Sequence, residues 1–273
     1  MKEGDFEHMI DNKLVDNIRA YGTCSDSGEG RRKILVDDIG FRVGEKAEHV
    51  IVTGCFQPEG MPHVLRALKE LLDYFKIDYT LLQKEYCCGW MPLGQPAVMA
   101  KNDEEIARSK ELSREFISQN FKQAVAQGAK SIVLFCGACE PSYTNCRGDT
   151  KLEIISYTEL LDRYFTGGKL NSEVDYYAGC YRFRRRITSE PVDVSPAVRV
   201  LNKIDGLEVN HLDTNLCCYI PPHMEQLVGS LATNTLVNIC SGCYHSLRGK
   251  LQEKPDIKIK MLPEIVLEAV LGK

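Results

Sequence analysis

The sequence lacks the features that mark several specialised protein classes. Its apolar runs fall well short of the ~20 residues a membrane-spanning helix needs, so no membrane span is expected. Basic residues are not in excess: 34 Lys and Arg stand against 38 Asp and Glu, for a formal net charge of −4. Without an overall positive field the chain has little to offer a polyanion, and nucleic acid is not an expected partner. The opening MKEGDFEHMIDNKL has neither the basic region nor the unbroken apolar stretch of a secretory signal, which predicts a cytoplasmic protein. No glycine fingerprint for a dinucleotide is present, so any flavin is expected on a partner. Tryptophan occurs once, at Trp90.

Cysteine, by contrast, is plentiful. Twelve cysteines in a small secreted chain would suggest disulfides, but these sit among 273 residues of which 44% are hydrophobic. A chain of that size fills one large or two medium cores without covalent staples. Metal ligation is therefore the better reading of the thiols.

From residue 49 the order of elements runs through twice. HVIVTGC is a short apolar strand ending on Cys55, and the spacing predicts a helix across Val64 to Phe75. The strand DYTLLQ then leads to Cys87–Cys88, a helical stretch covers 103–127, and SIVLF ends on Cys136 and Cys139. LEIISYTELLDRYF closes this half. The second half repeats the order: VDYYAGC ends on Cys180, a helix follows near Pro196 to Lys203, and LEVNHL precedes Cys217–Cys218. TLVNI ends on Cys240 and Cys243, and IKIKMLPEIVLEAVLG mirrors the earlier closing segment. The domains expected are an N-terminal extension over 1–48, a first domain over 49–168 and a shortened second domain over 174–273. Strands alternating with helices predict an α/β fold of two pseudo-repeated parallel-sheet domains, with cysteines at the carboxyl ends of strands, where ligands collect in such sheets. Within the extension, Phe6, Ile10, Leu14 and Ile18, with Met9, Val15 and Tyr21 beside them, mark one face of an amphipathic helix that either packs on the body or docks a partner. Residues 22–32 read as a flexible loop.

Taken singly, the small cysteine motifs mean little, since chance alone gives roughly 0.5 adjacent pairs in such a composition. The repeated order is the signal, and ten of the twelve cysteines fit it. Thiolates suit soft metals and iron–sulfur clusters, and a CxxC turn brings two sulfurs to one centre. Four ligands would satisfy zinc or a cubane cluster, whereas five per half is one too many for tetrahedral zinc. Neighbours on a regular strand point to opposite faces, so both adjacent pairs are expected on irregular loops.

At this point VTGCFQPEG, YCCGWMP, FCGACEPS, AGCYRFRR and ICSGCYHSL carry a resemblance. A cysteine, a CC pair followed by glycine, and a CxxC resemble the CCG domain, and two copies over residues 49–273 resemble the disulfide-cleaving member of the heterodisulfide reductase family. The resemblance implies two noncubane 4Fe–4S clusters, one held by Cys55, Cys87, Cys88, Cys136 and Cys139 and one by Cys180, Cys217, Cys218, Cys240 and Cys243. It implies an oxidoreductase that cleaves the coenzyme M–coenzyme B disulfide, with electrons from FAD-containing and ferredoxin-like iron–sulfur subunits. Zinc in one half is the variant some relatives suggest, and the shortened second half is where it is expected. The alternative is a non-catalytic electron-transfer subunit linking a flavoprotein to another redox enzyme or a quinone. Three departures stand out: Tyr219 replaces the glycine after the second pair, the gap from Cys218 to Cys240 is 22 positions against 48 from Cys88 to Cys136, and residues 1–48 have no counterpart in the family member that the chain resembles. On these grounds substrate chemistry is expected at the first set.

Around the cysteines, Arg182, Arg184 and Arg185, with Arg186, follow Cys180 and are candidates to hold an anionic substrate group beside it, against the plainer reading of a solvated basic face. Trp90 and Pro92 are expected to form a pocket wall that excludes water. His63, His211, His223 and His245 lie near cluster cysteines in sequence and are more simply ordinary histidines than proton donors. Cys24 and Cys146 fall outside the repeat and read as free thiols rather than ligands.

Overall fold

The predicted succession of strands and helices is found in the computed structural model, which describes residues 10–25 and 27–272. The strands are β1 (His49–Val52), β2 (Tyr79–Leu81), β3 (Ser131–Leu134), β4 (Glu153–Ser156), β5 (Gly168–Tyr177), β6 (Ile204–His211), β7 (Thr235–Asn238) and β8 (Lys258–Met261). They form two four-stranded parallel sheets, ordered β2-β1-β3-β4 and β6-β5-β7-β8. The same order, met twice, is the structural counterpart of the repeated cysteine pattern. In the first sheet Val50 lies opposite Thr80 on one side and Ile132 on the other, and in the second Asp175 lies opposite Asn210 and Leu236. Strands β1, β2 and β3 are buried along their whole length. That is why they read as continuous apolar runs and not as an alternation: helices cover both faces of a parallel sheet.

The helices follow from local chemistry. Helix Pro62–Tyr74 opens on proline at its first position and buries Val64, Leu65, Leu68, Leu71 and Leu72 at helical spacing. Asn102 caps helix Asp103–Ala126 through its side chain, and three acids in the first turn favour the positive end of the helix dipole. Between the second CC pair and its CxxC the corresponding helix, Pro221–Gly229, has 9 residues against 24. Among the described residues, no helix is long and apolar enough to cross a membrane.

The chain divides into two compact, interleaved units. The first combines the described residues up to Glu59 with Tyr79–Ile154 and Phe183–Glu190; the second combines Gly60–Asp78, Ile155–Arg182 and the chain from Pro191 onward. Helix Pro62–Tyr74 thus packs in the second unit, and the segment after Arg182 packs in the first. Each unit keeps one full set of five cysteines.

In the extension, Phe6 and Met9 lie outside the described residues. The helix runs over Asn12–Tyr21, with Asp11 accepting from the Lys13 N–H at 2.8 Å. Ile10, Val15 and Ile18 are buried against Cys87, Leu93 and Phe116, so its apolar face packs on the first unit. The expected loop over 22–32 is shorter than predicted. Glu29–Arg32 is helical and continues into a wider turn over Lys33–Asp38, and Arg31 within it makes a buried ion pair with Glu85.

Candidate metal centres

Both sheets reverse direction of strand order at their first strand, and the crevice beyond the carboxyl ends of the strands at such a switch point is where open parallel sheets bind ligands. The cysteines occupy that position. Cys55 follows β1, Cys87–Cys88 follows β2 and Cys136–Cys139 follows β3; Cys180, Cys217–Cys218 and Cys240–Cys243 follow β5, β6 and β7. Among the described residues none of the twelve cysteines forms a disulfide.

In the first set the adjacent pair divides its work. Cys87 Sγ lies 3.1 Å from Cys55 Sγ, and Cys88 Sγ lies 3.3 Å from Cys139 Sγ. Cys136 Sγ accepts from Gln57 Nε2 at 3.1 Å. The pair lies on an irregular loop, as the strand argument required. That loop is held from three sides. The Asn120 carboxamide accepts the Tyr86 N–H at 2.8 Å, donates to the Tyr86 carbonyl at 2.7 Å and donates to the Tyr143 hydroxyl at 2.7 Å. Ser113 Oγ donates to the Cys88 carbonyl at 2.5 Å. Glu85 accepts the N–H groups of Thr53 at 2.9 Å and Gly54 at 2.7 Å, which ties the β2 loop to the turn carrying Cys55.

The second set is built the same way from different residues. Cys218 Sγ lies 3.3 Å from Cys243 Sγ. Ser246 donates to the Cys218 carbonyl at 3.0 Å, the role Ser113 plays at the first set. The Tyr177 hydroxyl donates to the Leu216 carbonyl at 2.6 Å, and His223 Nδ1 accepts the Cys217 N–H at 3.2 Å. In both sets the residue before the first cysteine is a glycine in the left-handed region, Gly54 (φ 89°) and Gly179 (φ 98°), where the chain turns against the CxxC. A Cβ on Gly54 would lie 2.7 Å from the Cys136 Cβ. After the CC pairs the sets differ: Gly89 has φ 74°, whereas Tyr219 keeps an ordinary backbone. The tyrosine is therefore accommodated by a different turn.

Each set is electrostatically uneven. Hydrogen bonds from Cys139 and then Cys87, against the penalty of burial, hold Cys88 below the usual thiol range, while Cys139 is pushed well above it by its contacts with Cys136 and Cys88. At the second set a hydrogen bond from Cys243 brings Cys240 down to about 7, helped by the N–H groups of Cys243 and Gly242 at a helix start. Burial raises Cys180 to about 11. A nest of thiols left to itself ionises unevenly because each negative charge raises its neighbours, and a bound cation relieves that repulsion. The donor set therefore fits a soft metal or an iron–sulfur cluster. The Gln57 amide aimed at Cys136 and the Gly89 N–H at 3.4 Å from Cys87 Sγ are the kind of donors that stabilise sulfur carrying negative charge.

Residues 50–142 match the CCG cysteine-rich domain family. The matched stretch contains all five cysteines of the first set and ends before the second. No curated protein matches the chain. With the clustered thiols, this CCG domain fits an iron–sulfur redox role.

The remaining predicted site residues are placed as follows. Trp90 is buried in the same core as Cys88, Cys136 and Cys139, and its backbone N–H contributes to lowering Cys88. Of the arginine run, Arg182 and Arg185 are exposed. Arg184, expected beside Cys180, is buried and pairs at 2.6 Å with Glu140, the residue after Cys139 of the first set. The physical cause is the crossing of Phe183–Glu190 into the first unit. His63 bonds the Tyr244 hydroxyl at 2.9 Å, and His211 packs edge-on against Tyr176. Cys146 is buried in the core of the first unit.

Sequence reasoning missed Glu85, Gln57 and Asn120, whose partners are 31 to 79 residues away. It also left Cys24 outside the pattern. That sulfur lies 3.8 Å from Cys87 Sγ, and Cys24, Cys55 and Cys87 form one group with ligand atoms within 4.8 Å of one another. A cysteine close in sequence to nothing else in the pattern gives no warning of this.

Proposed function

We propose that this chain is the iron–sulfur catalytic subunit of a cytoplasmic heterodisulfide-reductase-like complex, reducing a disulfide such as that of coenzyme M and coenzyme B to two thiols. The observation that carries the reading is the double one: two sets of five cysteines, each at the switch point of a sheet with the same strand order. Cys55, Cys87, Cys88, Cys136 and Cys139 would hold one 4Fe–4S cluster of the noncubane type, and Cys180, Cys217, Cys218, Cys240 and Cys243 a second. Such a group, when bound, supplies one-electron chemistry and an affinity for sulfur. The overall reaction joins a disulfide, two electrons and two protons to give two thiols, with the electrons delivered by FAD-containing and ferredoxin-like partner subunits.

The chain's own residues bind and orient. Glu85, Asn120 and Ser113 fix the loop that carries Cys87 and Cys88, and buried Trp90 keeps water from the wall beside Cys88. The exposed Arg182 and Arg185 are cationic groups available to an anionic substrate tail. Anaerobic purification followed by iron, zinc and acid-labile sulfide analysis, then turnover of a heterodisulfide with a chemical reductant, tests the proposal. Iron and sulfide at both sets with disulfide turnover is the expected result. Zinc without sulfide would overturn it, and cluster reduction without any thiol-dependent spectral change would assign an electron-transfer role instead.

A further inference from the structure

Cys24 lies outside the repeated cysteine pattern and outside the residues that match the CCG family. It is nonetheless held against the first set. The helix Asn12–Tyr21 ends at Gly22, whose carbonyl accepts the Cys87 N–H at 2.7 Å. Asn17, itself buried, donates to the Cys24 carbonyl at 3.0 Å. Lys84 Nζ closes the end of the helix by donating to the carbonyls of Arg19 at 2.9 Å and Ala20 at 2.7 Å. Beneath these bonds Ile10, Val15 and Ile18 are buried with Cys87, Leu93 and Phe116, and Cys24 and Cys55 pack at the edge of the same cluster. Packing and hydrogen bonds together fix the backbone of residue 24 relative to that of residue 87.

The consequence is a corner of three sulfurs. Cys24 Sγ is 3.8 Å from Cys87 Sγ, close to the separation of about 3.8 Å that two thiolates take on one tetrahedral ion with bonds of about 2.3 Å. The second set has no sixth cysteine: the remaining one, Cys146, sits in the core of the first unit.

We propose that Cys24 is a sixth thiolate ligand of the first metal centre, supplied by the N-terminal helix and absent from the second. The inference rests on the first set being a metal centre, as proposed above, and it makes the two centres chemically unequal. It also gives the extension a purpose within the chain: the buried face of the helix positions a ligand.

The test uses anaerobically purified full-length protein. Residue 24 is alkylated with iodoacetamide and followed by mass spectrometry before and after metal removal by a chelator, alongside metal and sulfide analysis. Electron paramagnetic resonance is recorded for the wild type, Cys24→Ser, and Cys146→Ser as a control for the loss of one thiol. Protection of Cys24 until the metal is stripped, with a spectrum altered by Cys24→Ser and unaltered by Cys146→Ser, is the expected result. The serine variant should also bind its metal about tenfold more weakly or worse. Iron and sulfide present with Cys24 alkylated equally fast in both states would overturn this inference and leave the proposed function standing. Zinc alone, with Cys24 protected until chelation, would overturn the proposed function and support the ligand. No bound metal at all would overturn both.

Discussion

Arg31 Nη2 lies 2.7 Å from Glu85 Oε2, with the two side chains only 11% and 4% exposed. The same carboxylate takes the backbone N–H groups of Thr53 and Gly54, so one buried charge joins the helix Glu29–Arg32, the β1 turn and the loop before Cys87. Removing one partner of a buried pair strands the other without water, which is more costly than never having built the pair.

Glu85→Ala should therefore destabilise the protein by about 3–5 kcal/mol, and Glu85→Gln by less, since its single amide oxygen can still accept one of the two N–H bonds, which go to different carboxylate oxygens. Denaturant unfolding of the metal-loaded protein measures the difference. Equal stability for Glu85→Ala and the wild type would deny the carboxylate its linking role.

Gly54→Ala and Gly179→Ala form a comparison within one chain. Both force a side chain onto a left-handed backbone, at about 1–2 kcal/mol. Only the first also drives a Cβ to 2.7 Å from the Cys136 Cβ and into Gln57, whereas the nearest atom at Gly179 is 3.3 Å away. The Gly54 variant should lose more stability and more metal, and an equal loss at both would show that backbone conformation alone sets the cost.

Cys136→Ser and Cys218→Ser, made separately, should each remove one centre's share of bound metal and leave the other. Stripping all metal with a chelator should lower the unfolding midpoint, because an ion bound by the native thiols stabilises only the folded state. Complete metal loss from either single substitution would argue against two separate centres.

Arg184→Ala and Arg185→Ala separate the buried member of the run from an exposed one. The first breaks a pair with Glu140 in which the arginine is 5% exposed, and should cost about 3 kcal/mol or more. The second, on the surface, should change stability by no more than about 0.5 kcal/mol. Matching losses would mean that the Glu140 pair contributes nothing beyond surface charge.

Asp162 offers a pH test in the second unit. Burial raises its carboxyl, but hydrogen bonds from Lys203 at 2.8 Å and Arg199 at 2.7 Å outweigh that and leave it below the usual carboxylate range. A carboxylate lowered in the folded state stabilises above its unfolded pKa, and the contribution disappears as the pH falls through the folded value. The stability gap between wild type and Asp162→Asn should be constant near neutrality and close progressively in acid. A gap that widens on acidification would reverse the assignment.

Much of the fold was legible in the residues. Short apolar runs such as HVIV and SIVL, rich in β-branched residues, read as strands covered on both faces, and Pro62 and Asn102 announce their helices by local chemistry that needs no tertiary partner. The loop predicted over 22–32 failed at Glu29–Arg32, a helix whose Arg31 is anchored by Glu85, more than fifty residues away and invisible to local pattern. Arg184 was attached to Cys180 by proximity in sequence, while space gives it to Glu140.

The sequence by itself determined the two sets of five cysteines, their positions after strands and the shortening of the second half, because periodicity, spacing and turn chemistry are properties of adjacent residues. The tertiary structure decided which sulfurs face one another, which polar groups hold their loops, and that Cys24 joins Cys55 and Cys87. Those outcomes depend on where distant segments meet once apolar faces are buried and buried polar groups find partners, and no local pattern in the chain encodes that meeting.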